Sequence, residues 1–92
     1  MPLVVLGLPE AFRAYAGGRK RVELEAGTAG EALARLLDLH PDLRKRTLNT
    51  DGALHPYLIF TCNREQLDPR ALDARTLREG DLLELIAAAS GG

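Results

Sequence analysis

Apolar positions in this chain fall into short strand-like clusters and one longer helical stripe. Residues 3–8, Leu-Val-Val-Leu-Gly-Leu, are almost continuously apolar and are closed by Pro9. The run is too short for a stable helix and rich in Val and Leu, so it predicts a strand. Residues 9–18 predict a loop or a short turn of helix ending in the breaker pair Gly17-Gly18. Residues 19–25 then alternate polar and apolar with period two, the pattern of a strand with one wet face, and Val22 and Leu24 point inward. The two strands predict a hairpin joined at Gly17-Gly18.

Thr28 stands three residues before Glu31, which is capping-box spacing. The Thr28 hydroxyl can accept an early helix N–H, and the Glu31 carboxylate can reach back to the Thr28 N–H. Leu33, Leu36, Leu37 and His40 follow at spacings of three and four, one apolar stripe on a helix of about three turns that Pro41 ends. Residues 41–56 predict a helical turn and then a loop around Asn49-Thr50-Asp51-Gly52. Residues 57–62 are β-branched and aromatic and predict a strand, ended by the turn Asn63-Arg64-Glu65. A short extended piece follows at Gln66-Leu67, then an irregular stretch over residues 69–79 anchored by Leu72 and Leu77. The turn Arg78-Glu79-Gly80-Asp81 leads into a last strand over residues 82–87. Strands with one covering helix define an α+β class with a mixed sheet of four to five strands.

Alternation assigns the faces of that sheet. Leu58, Phe60, Leu83 and Leu85 should face the helix, and Ile59, Leu82 and Ile86 should face outward with Val5 beside them. An exposed apolar group on a small sheet points to partner docking, although single exposed apolar residues are common on any surface.

Composition narrows the function classes. At 92 residues there is room for one domain, residues 1–87, with residues 88–92 as a tail. A chain of this size buries roughly 60–70% of the surface its unfolded form exposes. That supports one core and leaves little volume for a deep catalytic cleft. Aromatics are only 4% and Trp is absent, so the core must be aliphatic. The net charge of −1 lacks the basic surplus of a nucleic-acid binder. The basic runs Arg19-Lys20-Arg21 and Arg44-Lys45-Arg46 read as solvated surface, with a docking face for an acidic partner as the alternative. A single cysteine cannot form an internal disulfide. No basic n-region with an apolar stretch of signal-peptide length begins the chain, and no run approaches the roughly 18 apolar residues of a membrane span. A cytoplasmic protein without membrane or nucleic-acid partners is expected.

Candidate chemistry is sparse. His40 and His55 have no Cys, Asp or Glu at metal-ligand spacing, so neither predicts a metal site or a catalytic base. Cys62 alternates inward with Leu58 and Phe60, the position of a buried structural thiol. No nucleophile elbow, phosphate-cradling loop or paired-carboxylate motif occurs. The remaining feature is the ending Ala88-Ala89-Ser90-Gly91-Gly92. Glycine tolerates nearly any φ and ψ, so such a tail can thread a narrow channel and present a carboxylate. Composition alone leaves a frayed chain end as the alternative. A free carboxylate is a poor electrophile, and its usual activation is adenylation by ATP on a separate enzyme.

These residues resemble the β-grasp sulfur carriers and ubiquitin-like modifiers. Residues 58–67 look like the third strand and following turn of ubiquitin. Phe60-x-Cys62-Asn63 is similar to the apolar-x-Val-Asn strand end of bacterial carriers. Glu79-Gly80-Asp81, an apolar strand and a terminal Gly-Gly resemble the ending of those carriers. The length and the insert ending Leu54-His55 look most like the actinobacterial carriers that deliver sulfur for cysteine synthesis, with molybdopterin-synthase small subunits next. Two positions depart from the pattern: Ala88, where many members carry Pro, and Ser90, where Ala is common.

The resemblance implies a ubiquitin-like β-grasp fold and a carrier rather than an enzyme. An E1-like adenylyltransferase would activate the Gly92 carboxylate with ATP. A sulfur donor or sulfurtransferase would convert it to a thiocarboxylate, and an acceptor synthase would take the sulfur. No cofactor would be bound by the chain itself. Gly91 and Gly92 would be the activated terminus, and Ile59, Leu82, Ile86 and Ser90 the docking residues. The alternative within the resemblance is a modifier conjugated through Gly92 to lysines.

Overall fold

A computed structural model describes residues 1–88. Five strands form one mixed sheet: β1 (Leu3–Gly7), β2 (Arg21–Glu25), β3 (Leu58–Cys62), β4 (Glu65–Gln66) and β5 (Leu82–Ala87), in the order β2-β1-β5-β3-β4. The chain's first and last strands lie side by side at its centre. They pair in parallel, with Val5 opposite Leu82 and Gly7 opposite Glu84, and every other pairing is antiparallel. Helix α1 (Ala29–Leu39) is the one long helix, and α2 (Arg44–Thr47) is a single turn. This is the α+β mixed sheet that the sequence pattern predicts, in the ubiquitin-like β-grasp arrangement that the resemblance implies.

Alternation places Val4, Leu6, Val22, Leu24, Leu83 and Leu85 on the buried side of the sheet. Across from them α1 buries Ala29, Ala32, Leu33, Leu36 and Leu37. His40, assigned to the same stripe, is instead the half-buried residue at the helix C-terminus. Pro41 follows it and cannot continue the helix. The core is aliphatic apart from Phe12 and Phe60. Burial of each such side chain is worth about 1.5–3 kcal/mol, so a truncation such as Leu83→Ala removes a large share of a small domain's stability of about 5–15 kcal/mol.

Two local expectations are refined. β1 and β2 do pair antiparallel, but their connection spans residues 8–20 and contains a 3₁₀ helix, Glu10–Ala16. Phe12 and Ala16, four residues apart, are buried from this segment, and Gly17 closes it with φ +67°. The α1 cap also shifts by one residue. The Glu31 N–H donates to Thr28 Oγ1 at 3.1 Å as expected, but the Glu31 carboxylate accepts from the Gly27 N–H at 2.6 Å, not from Thr28. Residues 27–29 are held extended against residues 75–77, with Ala29 N–H donating to the Arg75 carbonyl and Leu77 N–H to the Gly27 carbonyl.

The β3–β4 connection is a two-residue loop in which Asn63 and Arg64 have φ +50° and +73°. Both positive values identify the primed hairpin turn whose twist suits flanking strands. Asn63 also locks this turn to the start of β5. Its backbone N–H donates to the Leu82 carbonyl at 2.7 Å, and its side-chain oxygen accepts from Leu82 N–H at 3.0 Å. Its Nδ2 donates to Asp81 Oδ1 at 3.0 Å, while Asp81 Oδ2 accepts from the Arg78 N–H at 2.8 Å. The Asn63 and Arg78 bonds hold the Asp81 carboxyl below its ordinary pKa.

Two predictions follow from this corner. A residue with a side chain in the left-handed region carries a strain of roughly 1–2 kcal/mol, against about 0.5–1 kcal/mol of extra chain entropy for glycine. Arg64→Gly is therefore expected to raise the melting temperature by a few degrees in thermal denaturation. Asp81→Asn is expected to lower it by about 4–8 °C at neutral pH. Because the folded-state pKa of Asp81 is depressed, its contribution is present above the unfolded value near 3.9 and is lost as pH falls through the folded value. The gap between variant and wild type should close in that acid range.

Candidate functional site

The site is built around the end of β5. Antiparallel pairing with β3 continues one bond past the strand, where the Ala88 N–H donates to the Tyr57 carbonyl at 2.7 Å. The described chain is thus fastened to the sheet through Ala88. Ser90, Gly91 and Gly92, which the sequence reading names as docking and activated residues, lie outside the described residues.

The outer face of the sheet is uncovered by any helix, and its rows follow from the registers. Ile86 lies directly opposite Ile59, in the row nearest the end of β5. Leu82 lies opposite Val5 at the other end of the strand. Ile86 is 43% exposed, while Ile59, Leu82 and Val5 are half-buried by their neighbours. The outward orientation read from alternation is therefore what the structure has.

The group is not one continuous patch, however. Residues 82 and 86 are about 13 Å apart along an extended strand, and Glu84 lies between them on the same face. The registers place Gln66, Thr61, Glu84, Gly7 and Arg21 in one row across all five strands. A polar bar thus separates an Ile59–Ile86 pair beside the chain exit from a Val5–Leu82 pair remote from it. The signal for this was legible, because Glu84 is two residues from each of its apolar neighbours.

Next to the exit the fold carries a cluster that alternation could not reveal. The ring of Tyr57 stacks on that of His55 at 5.3 Å between centroids. Tyr57 Oη donates to the Arg46 carbonyl at 2.8 Å, and His55 Nε2 lies 3.0 Å from the Lys45 carbonyl. A carbonyl only accepts, so the imidazole N–H at Nε2 is the donor there. Both side chains satisfy carbonyls that the end of α2 leaves unpaired. The Arg46 guanidinium lies 3.9 Å above the Tyr15 ring centre, joining α2 to the 3₁₀ helix.

The other titratable candidates are accounted for by structure. Cys62 is fully buried in the core, and burial pushes its thiol pKa up, with the nearby Arg75 guanidinium opposing. A thiol held protonated is a poor nucleophile. His40 caps α1 and His55 caps α2. Among the described residues no three His, Cys, Asp or Glu side chains converge as metal ligands, and no helix is long and apolar enough to cross a membrane.

No protein-family model matches the chain, and no curated protein matches it in sequence. Solved structures do match. SAMP1 from Haloferax volcanii is 28% identical, covering 98% of this chain and 99% of its own, with a TM-score of 0.84. CysO in the Amycolatopsis orientalis BexX/CysO complex is 27% identical, covering 97% and 99%, with a TM-score of 0.80. Mycobacterium tuberculosis CysO, at 23% identity over 94% and 99% with a TM-score of 0.81, shares the fold. The likeness read from sequence, to the ubiquitin-like β-grasp carriers and modifiers, is the likeness these structures return.

The Ile59–Ile86 pair yields a direct test. A cross-strand pair contributes about 0.2–1 kcal/mol, so Ile86→Glu should cost only a few degrees of melting temperature. Its effect on capture by a partner, measured by calorimetry or surface binding, should exceed tenfold. A collapse of the fold with unchanged residual binding would assign Ile86 to the core instead.

Proposed function

We propose that this chain, which has the ubiquitin-like β-grasp architecture of the carriers and modifiers, is a sulfur carrier that works through the carboxylate of Gly92. The observation that carries the reading is β5. It is the central strand of the sheet, held by β1 over Leu82–Glu84 and by β3 from Leu83 to Ala87, and its last bond at Ala88 leads into the small residues Ala89-Ser90-Gly91-Gly92. A fixed departure point at Ala88 limits where the following residues can reach, while ordering the two glycines in another active site still costs conformational entropy.

In this reading a carboxylate oxygen of Gly92 attacks the α-phosphorus of ATP on an E1-like adenylyltransferase, and pyrophosphate leaves. A sulfur donor or sulfurtransferase then attacks the acyl carbon of the acyl-adenylate. AMP departs with the oxygen that attacked phosphorus. A hydrosulfide donor then leaves the thiocarboxylate at Gly92 on losing its proton. A sulfurtransferase persulfide instead leaves an acyl disulfide, whose S–S bond a thiol reductant cleaves, the reductant and the transferase cysteine ending as a disulfide. The thiocarboxylate sulfur, a far better nucleophile than the carboxylate, passes to the substrate of an acceptor synthase in cysteine or molybdopterin synthesis. The carrier supplies no acid or base. Its side chains contribute recognition, through Ile59, Leu82 and Ile86 on the sheet face and Ser90 in the tail, in a cytoplasmic setting. The naming of A. orientalis CysO in a complex with BexX supports a partner protein of this kind.

A second reading, conjugation of Gly92 to lysines as a protein modifier, is favoured by the likeness to H. volcanii SAMP1, since the small archaeal modifier protein 1 of that organism is named as a modifier. Intact-mass measurement of the chain after incubation with an activating enzyme, ATP and a sulfur donor separates the two. Exchange of one oxygen for sulfur supports the carrier, and larger conjugates with lysine-containing proteins support the modifier. Deleting Gly91-Gly92 should abolish activation while leaving the melting temperature within about a degree, because these residues lie beyond the Ala88–Tyr57 bond. Activation of the truncated chain would overturn the reading.

A further inference from the structure

The two basic runs are 23 or more residues apart in sequence and belong to different elements, yet the topology brings both to one end of the molecule. β1 and β5 are parallel, so Gly7 and Ala87 point toward the same end of the sheet, and antiparallel pairing places the starts of β2 and β3 there as well. Arg21 pairs with Gly7, and the Lys20 carbonyl accepts the Leu8 N–H at 2.9 Å, which fixes Arg19-Lys20-Arg21 at this end. Arg44-Lys45-Arg46 forms most of α2, and Tyr57 and His55 bind its last carbonyls beside the Ala88–Tyr57 bond. Half of the chain's 12 Lys and Arg residues are therefore in runs that lie toward the end of the sheet at which β5 finishes, with Arg21 level with Glu84.

These cations are largely uncompensated. All six residues are exposed. Among the described residues, only Arg44 of the six makes an ion pair, with Asp38 at 3.7 Å, and Arg46 is spent on the Tyr15 ring. By contrast, Arg35, Arg70 and Arg75, which lie outside the two runs, pair with Glu31, Asp68 and Glu65. Asp42 lies beside Lys45 and Arg46, Asp38 pairs with Arg44 and Glu84 shares the row of Arg21, so the six cations outnumber the carboxylates among them and this end keeps a positive surplus on a chain with a net charge of −1.

We propose that this basic end is an electrostatic docking surface for a carboxylate-lined rim on the protein that receives the chain end. The proposal rests on the carrier reading and supplies the charge of the partner's surface. An acidic protein fits better than a nucleic acid, because Lys45 and Arg46 share their surface with the exposed rings of Tyr15 and Tyr57, and the Ile59–Ile86 pair lies one outward row further along β3 from Tyr57. A surface mixing aromatic, apolar and cationic groups has the composition of a protein interface. The charges would act chiefly on the rate of encounter, steering the exit toward the partner's opening, while the apolar pair governs how long the complex lasts.

The test uses the full chain and an Arg19→Glu/Lys20→Glu/Lys45→Glu variant, whose exposed substitutions are checked by melting temperature. With an E1-like enzyme that adenylates the wild type, ATP–pyrophosphate exchange is expected to show kcat/KM reduced about tenfold or more at about 50 mM salt. The kcat should be unchanged, and the difference should shrink to about twofold near 0.5 M salt. Equal kcat/KM at low salt would overturn the docking surface and leave the carrier reading standing. If the wild type is not adenylated at all, the carrier reading fails, and an NMR titration decides the surface by itself. An octaglutamate peptide should then shift the amides of residues 19–21 and 44–46 in the wild type and not in the variant. Absence of those shifts, or tighter binding of an oligothymidylate of equal charge at the same amides, would overturn the proposal. A misfolded triple variant is replaced by Lys20→Gln/Lys45→Gln, for which a smaller loss of the same salt-dependent kind is expected.

Discussion

The parallel pairing of β1 with β5 is the constraint on which the rest of this molecule depends. It joins residues nearly the full chain length apart, Val5 to Leu82 and Gly7 to Glu84, and it sets the two ends of the described chain in the centre of one sheet. Each strand is then paired on its other side, β1 with β2 and β5 with β3, although β1 accompanies β5 only from Leu82 to Glu84 and β3 alone holds Leu85–Ala87. Loop-closure entropy makes so distant a pairing costly to form. It is offset by the apolar side chains that the two strands bury on the same face, Val4, Leu6, Leu83 and Leu85, against α1. The consequence for function is mechanical, because the segment after β5 leaves from the best-supported strand in the fold.

The same arrangement explains two short stretches that carry much of the resemblance to carrier proteins. Cys62-Asn63 and Glu79-Gly80-Asp81 are 16 or more residues apart and contain no reactive constellation. Asn63 spans them by bonding Asp81 and Leu82, and Asp81 in turn closes the turn beginning at Arg78. Further bonds tie the turn to β1: Gly80 N–H donates to the Leu3 carbonyl, Leu3 N–H to the Glu79 carboxylate, and Val5 N–H to the Asp81 carbonyl. These residues set where β5 begins and hence its register. Their role is to hold the strand, and the chemistry proposed for the chain lies at the other end of it.

The described residues present a finely divided surface. The outer sheet face alternates apolar pairs with the polar row through Thr61 and Glu84, while the exit end gathers the cations of two separate runs. An apolar pair and the cations lie toward the end of the sheet at which β5 finishes. Under the proposed function they would act on different stages of association, the cations on long-range attraction and the apolar pair on close packing.

Much of this was determined by the sequence alone. Period-two alternation gave the buried sides of β2, β3 and β5, a continuous apolar run gave β1 as a strand, and the spacing of Leu33, Leu36 and Leu37 gave the helix that covers them, because all are local consequences of backbone geometry. The outward positions of Ile59, Leu82 and Ile86 were legible for the same reason. Strand order was not, since the pairing of β1 with β5 is set by burial across the whole chain. That pairing set Val5 beside Leu82, as the β3–β5 register set Ile59 beside Ile86, while the separation of Leu82 from Ile86 by Glu84 was already written along β5. It also decided that Arg19-Lys20-Arg21 and Arg44-Lys45-Arg46, each ordinary solvated surface when read along the chain, share one end of the molecule. Charge density is a property of positions in space, and only the tertiary structure brought those positions together.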